Sequence, residues 1–306
     1  MYCLPILIFL LSLQTSYSEL SSEFSTEKAI QYYLLTGGTY TITPQPCVDK
    51  ALDADGDWKI IAHNNSIVCD SWNQTCGYLV VQSDVYKQII VTYKGSVGEQ
   101  VTELVGYTFV PRQPLGAGRV HLYMYLAQNA TWPTISAILN DTDTADYDVI
   151  FSGHSLGGAE AVISAVRVVD EGIKDSSQVQ VWTYGQPRVG NAPFSNNFDE
   201  LFPTSYRVVN RKDIVPHVPP CDAKLLKQCW PAVLGYYHQS TEVWYYDGFY
   251  AENSTYRIST EPEDPNGSNS LIFDYDAADH AGEDGYLHFD PQVYGLSNCA
   301  DEYWPG

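Results

Sequence analysis

Basic residues are scarce in this chain: 16 Lys and Arg stand against 37 Asp and Glu, a formal charge of −21 with His neutral. A surface that acidic repels phosphate backbones and anionic membrane faces, so nucleic acid is not an expected partner. Charged residues of both signs are only 17% of the 306, and Leu, Val, Ile and aromatics run through the whole length. That excludes the disordered and fibrous classes. Past the N-terminus no segment approaches the roughly 18 apolar residues of a membrane-crossing helix. No thiol stands in a metal-type spacing such as CxxC, and no unit repeats with a period of about 20 to 50 residues. With no linker either, a single domain over residues 19–306 is the economical expectation.

The N-terminus is the exception to the missing apolar runs. Leu4 to Leu13 is almost purely apolar, and Ser16-Tyr17-Ser18 then offers small residues before Glu19. The run is too short to span a bilayer and reads as a secretory signal peptide over residues 1–18. It carries no Lys or Arg ahead of it, and a short membrane anchor is the other reading. Removing the signal takes Cys3 away and leaves Cys47, Cys69, Cys76, Cys221, Cys229 and Cys299. An even number of thiols in an oxidising compartment implies three disulfides, whose connectivity the sequence leaves open. Sequons at Asn64, Asn73, Asn129, Asn140, Asn253 and Asn266 add to the expectation of a secreted glycoprotein with no integral membrane segment in its mature form.

Apolar spacing predicts a helix from Ser21 to Leu35, stopped by Thr36-Gly37-Gly38. Strands are expected at Tyr78–Val85, Gln88–Tyr93, Asp148–Ser152, Val179–Tyr184 and Tyr206–Asn210, and helices at Leu122–Leu139 and Leu156–Val169. Such alternation implies an α/β fold, a largely parallel sheet with helices on both faces. Residues 252–285, rich in Asp, Glu, Asn, Ser, Gly and Pro, read as an irregular, glycosylated surface excursion.

The most informative stretch is Gly153-His154-Ser155-Leu156-Gly157-Gly158. A GxSxG string alone is weak, but here a buried strand runs into it and an Ala/Val-rich helix runs out. A sharp strand-to-helix turn needs glycines around its serine and sets the hydroxyl at a helix N-terminus, where unpaired N–H groups favour negative charge. The other reading is a Gly-rich turn that merely packs a helix on a sheet.

The sequence resembles the class 3 (fungal-type) triacylglycerol lipases, secreted nematode relatives included. Gly153-His154-Ser155-Leu156-Gly157-Gly158-Ala159 matches the family's nucleophile turn, and Tyr184 to Asn191 and Asn210 to Pro220 match its next two blocks. Looser similarity extends from about Ser21 to Cys299. The resemblance implies an α/β-hydrolase-type fold and ester hydrolysis by a Ser–Asp–His triad, with no cofactor and no metal. Chain order on that fold is serine, acid, histidine. The acid falls on Asp213, just past the strand Tyr206–Asn210. His63, His121, His154, His217 and His238 precede the tail or lie in motifs with other uses, and read as structural. Asp279-His280 resembles the end of the family's last block, whereas His288 matches only in its distance to Cys299. His280 is the expected base and His288 the alternative. The family's apolar stretch after this histidine is replaced here by Ala281-Gly282-Glu283-Asp284-Gly285.

The same resemblance assigns the oxyanion donors to Leu156 N–H and to Ser96, in Lys94-Gly95-Ser96. It makes the following stripe, Val97, Val101, Leu104 and Val105, a lid; core packing explains that stripe almost as well. It pairs Cys47 with Cys299, Cys69 with Cys76 and Cys221 with Cys229, and puts Gly267 where the family carries a further cysteine. The expected protein is a monomeric serine esterase acting on acylglycerols or other lipid esters, with a phospholipase or feruloyl-type esterase as the alternative. The rival is a non-catalytic, secreted lipid-binding relative on the same fold.

Overall fold

Runs of Val, Ile and Tyr become strands in the computed structural model, which describes residues 23–97, 100, 106, 110, 112–221, 235–272 and 274–303. In chain order, α1 (Thr26–Gly38) and α2 (Gln45–Ala51) precede β1 (Lys59–Val68), β2 (Thr75–Ser83) and β3 (Gln88–Tyr93). A small hairpin, β4 (Gln113–Leu115) with β5 (Gly118–Val120), leads to α3 (Leu122–Leu139), β6 (Asp148–His154) and α4 (Leu156–Asp170). Then come β7 (Val179–Tyr184), α5 (Ala192–Leu201), β8 (Tyr206–Asn210), β9 (Glu242–Tyr245), β10 (Arg257–Ser259) and α6 (Pro291–Leu296).

All strands except the hairpin form one eight-stranded sheet in the order β1-β2-β3-β6-β7-β8-β9-β10. The inner strands β3, β6, β7, β8 and β9 are parallel, and antiparallel strands close both edges. Side chains alternate across it, as the period of a strand requires. Ile89, Val91 and Tyr93 of β3 join Val149 and Phe151 of β6 in the core beneath α3, α4 and α5. Ile90 and Ile150 face the other way, into a core with α1, α2 and α6. This is the mostly parallel, doubly covered sheet that the strand–helix alternation implied. The inner strands all end on one side, where ligands collect in open α/β sheets.

Two expectations are corrected. Thr36-Gly37-Gly38 does not stop α1, which runs through Gly38. Gly37 is there for contact: a Cβ on it would come within 2.6 Å of the Tyr294 ring and 3.3 Å of Cys299 Sγ. Nor is 252–285 a surface excursion throughout. It supplies β10, and Glu263, Asp264, Ser268, Asn269 and Asp279 within it are buried. Burial alone would raise the Glu263 carboxyl, yet the Arg188 guanidinium holds it below the usual carboxylate range through Nε–Oε1 (2.6 Å) and Nη2–Oε2 (2.7 Å) contacts. Part of its polar composition therefore reflects ion pairs in the interior, while Asn253 and Asn266 among others face solvent.

Cys47 bonds Cys299 and Cys69 bonds Cys76, as the family pattern implied. Cys221 is also disulfide-bonded, while Cys229 lies outside the described residues. So do residues 1–22 and, of the apolar stripe, Val101, Leu104 and Val105. Among the described residues no helix is long and apolar enough to cross a membrane.

Candidate active site

Ser155 stands between the end of β6 and the start of α4 with φ 58° and ψ −126°. L-residues rarely adopt this region, so the surrounding structure must impose it. The imposition comes from backbone packed on backbone. A Cβ on Gly153 would lie 2.2 Å from the Gly157 carbonyl carbon, and one on Gly157 would lie 2.3 Å from the Tyr93 carbonyl oxygen. Ser155 N–H donates to Tyr184 O of β7 at 2.9 Å, which ties the turn to the neighbouring strand. Leu156 is the first helical residue, so its N–H has no carbonyl one turn back to meet and belongs to the unpaired N-terminal set. Its side chain is buried in the core.

Asp213 follows β8 and is fully buried. Its Oδ1 accepts from Val215 N–H (2.8 Å), and its Oδ2 accepts from the Tyr286 hydroxyl (2.9 Å) and meets His280 Nδ1 at 2.9 Å. The histidine arrives on an irregular segment lashed to the Asp213 loop. Asp276 N–H donates to Lys212 O, Lys212 N–H donates to Asp279 Oδ2, and Arg211 Nη1 pairs with Asp279 Oδ1 at 3.0 Å. The Asn210 side-chain amide donates to Asp279 O and Asp284 O, while its oxygen accepts from Phe249 N–H. His288 goes elsewhere: its Nδ1 meets Glu283 O, and its exposed ring stacks on Tyr250 at 3.8 Å.

Ser155, His280 and Ser96 line one cavity of about 120 Å³, with Tyr40, His154 and Asp290 on its walls. Sequence reasoning missed several residues that shape it. His154, read as structural, lies against the histidine itself: the two rings stack at 4.4 Å, and His154 Nε2 meets His280 O at 2.9 Å. Burial, reinforced by neighbouring His280, holds the His154 imidazole well below its usual range, so it stays neutral and donates from Nε2. Gly185 has φ +56°, and a Cβ there would fall 2.7 Å from Asp213 Oδ2 and 2.8 Å from His280 Nδ1. Only glycine lets that loop pass behind the pair. Tyr286 is pushed well above its usual range by burial and by the adjacent Asp213 charge, so its hydroxyl remains a donor. The Tyr184–Asn191, Asn210–Pro220 and Asp-His matches held Gly185, Asn210 and Asp279, but nothing local marked Tyr286. Among the described residues no group of His, Cys, Asp and Glu is arranged to hold a metal ion.

Known proteins share this architecture. The fold matches a fungal lipase whose inhibitor complex served as a model for interfacial activation, with a TM-score of 0.71 and 26% identity over 90% of this chain and 97% of that one. It also matches a triacylglycerol lipase in which a serine-protease triad forms the catalytic centre (TM-score 0.68, 27% identity, 87% of this chain and 95% of that one). A Caenorhabditis elegans lipase is 32% identical over 256 residues, which is 78% of this chain and 72% of the relative. A Rhizomucor miehei lipase is 29% identical over 81% of this chain and 66% of its own length. The family model described as lipase (class 3) matches residues 90–223, the stretch that carries the nucleophile turn and Asp213. With that block, the α/β-hydrolase sheet and the nematode relative in agreement, the chain belongs to the class 3 lipases, a family of carboxylic-ester hydrolases.

Proposed function

We propose that this protein is a secreted lipase that hydrolyses acylglycerol esters through Ser155, His280 and Asp213. The observation that carries the reading is the 2.9 Å contact of His280 Nδ1 with buried Asp213, on a ring that shares its cavity with the strained Ser155. With Nδ1–H donating to the carboxylate, Nε2 keeps the lone pair. That nitrogen takes the proton of Ser155 as Oγ adds to the ester carbonyl, and Asp213 stabilises the imidazolium. Leu156 N–H with the N–H and hydroxyl of Ser96 hold the oxyanion. His280 then protonates the leaving alkoxide and leaves an acyl-enzyme. Water, deprotonated by the same nitrogen, releases the fatty acid and regenerates Ser155.

A lipid–water interface is the proposed partner, and the cavity rim supports it. Val293 and Leu296 are exposed on α6, whose first residues Pro291 and Gln292 line the cavity. Ile214 is exposed beside cavity-lining Val215, and Ile42 is 84% exposed two residues past cavity-lining Tyr40. Secretion is proposed from the apolar N-terminus, and it suits the disulfides. All six sequon asparagines are exposed, which suits glycosylation. A fluorophosphonate probe tests the chemistry: the purified protein should bind one equivalent at Ser155. Failure to label, or equal labelling of Ser155→Ala, would sink the reading.

A further inference from the structure

After His280 the chain runs through Ala281-Gly282-Glu283-Asp284-Gly285 and then brings Asp290 to the cavity wall. Asp290 is the N-cap of α6, with one carboxylate oxygen accepting from Gln292 N–H (2.7 Å) and Val293 N–H (3.3 Å). It lies close enough to Tyr40, which also lines the cavity, to help push that phenol up, after burial. Among the described residues lining the cavity there is no Lys or Arg, and His154 is held neutral. The carboxylate therefore shares a small cavity with Ser155, where, among the described lining residues, the His280 imidazole is the one group that can carry positive charge, and only while it holds the transferred proton.

We infer that Asp290 is a charge-selective wall: it weakens binding of any ligand that puts a second carboxylate beside the nucleophile. The ligand class that meets it in every turnover is the product itself. The ester enters neutral, and hydrolysis creates a fatty-acid anion in the same cavity, so repulsion by Asp290 favours departure of product over its retention. Esters with an anionic group near the scissile bond are disfavoured by the same field. The inference rests on the ester-hydrolase reading above and adds to it a residue that governs charge preference and product inhibition.

The test is inhibition of neutral-ester hydrolysis by butyrate and by its uncharged isostere butyramide, in the wild type and in Asp290→Asn. Asn ranks with Asp as an N-cap, so the substitution removes charge and keeps the cap. Coulomb repulsion between two unit charges within one partly solvated cavity predicts that butyrate binds about 3- to 30-fold tighter to Asp290→Asn. Butyramide inhibition should not move. High salt should narrow the gap between the two inhibitors in the wild type and leave the variant unaffected. Should Asp290→Asn fold poorly, Asp290→Ser, which also caps, is required to give the same shift. Equal changes for butyrate and butyramide, or none for either, would show that Asp290 only caps α6. Turnover that survives in Ser155→Ala would overturn the ester-hydrolase reading itself, a different result from turnover that needs Ser155 but ignores Asp290.

Discussion

The serine and the histidine reach the same cavity by opposite routes. Ser155 is delivered by two regular elements, β6 and α4, within one short turn whose contacts are backbone on backbone. His280 hangs on an irregular segment held by side chains that lie far away in sequence, Asn210, Arg211 and Arg188 paired with Glu263, and by Tyr286 just after it, which reaches back to Asp213. A backbone-packed turn admits no partial version, since one added methyl must displace a strand. A segment held by many side chains can lose one anchor and keep the rest. The nucleophile should therefore respond to substitution all or nothing, and the histidine loop by degrees.

The largest effect expected is on chemistry. His280→Ala should lose turnover about as completely as Ser155→Ala, on the order of 10⁴- to 10⁶-fold, because triad members act as a unit. His288→Ala removes a stacking contact with Tyr250 and a hydrogen bond to Glu283 O, neither of them at the cavity, and should retain most activity. Initial rates on one soluble ester separate the two histidines. A dead His288→Ala beside an active His280→Ala would reverse the assignment.

Next in size is the junction between the two regions, at Gly185. Gly185→Ala puts a methyl within 2.8 Å of both Asp213 and His280, at φ +56°, while the sheet around it is unaffected. Displacing the pair by about 1 Å should cost on the order of 100-fold in kcat with the fold retained. Gly157→Ala, which drives a methyl into the Tyr93 carbonyl of β3, should instead lower stability as well as activity. Thermal melts beside kinetics distinguish the outcomes. If both variants lose stability equally, the two routes do not differ in the way proposed.

What could be read from the chain follows the same division. The nucleophile turn was legible because its requirements are local: a Val/Ile/Phe strand, small residues around Ser155 and an Ala/Val helix are adjacent in sequence. Asp213 was legible from its block and its place after β8. Local pattern alone did not separate His280 from His288, which lie in one polar tail; the Asp279-His280 match favoured His280, and in the fold Asp279 meeting Lys212 and Arg211 brings that ring to Asp213. The reading of 252–285 as surface was incomplete for the same reason. Glu263 and Asp264 within it are buried and paired with Arg188 and Arg257, and such partners are invisible in a local window. Gly37 misled as a helix stop because its partner, Tyr294, is distant in sequence.

The smallest effect expected concerns one acid that breaks this pattern. Glu263, Glu242 and Asp279 of the histidine side are buried with cationic partners, whereas Glu160, on the nucleophile's own helix α4, is fully buried with neither carboxyl oxygen hydrogen-bonded. Burial pushes its carboxyl well above the usual carboxylate range, with Lys94 opposing only in part. The folded state therefore holds a proton that the unfolded chain gives up at ordinary glutamate pH. Stability contributed at Glu160 is intact below the unfolded value of 4.5 and is lost as pH rises toward the raised folded value. Glu160→Gln keeps the shape and removes the titration. It should match the wild type near pH 4 and melt higher at pH 7 and above, by roughly 2–4 °C for each kcal/mol regained. Glu263→Gln should do the reverse at neutral pH, because it strands the Arg188 charge in the interior. Melting curves across pH 4 to 9 read both. A Glu160→Gln difference that is flat with pH, or largest in acid, would mean that this carboxylate has a partner in solution and that the two halves of the site are buffered alike.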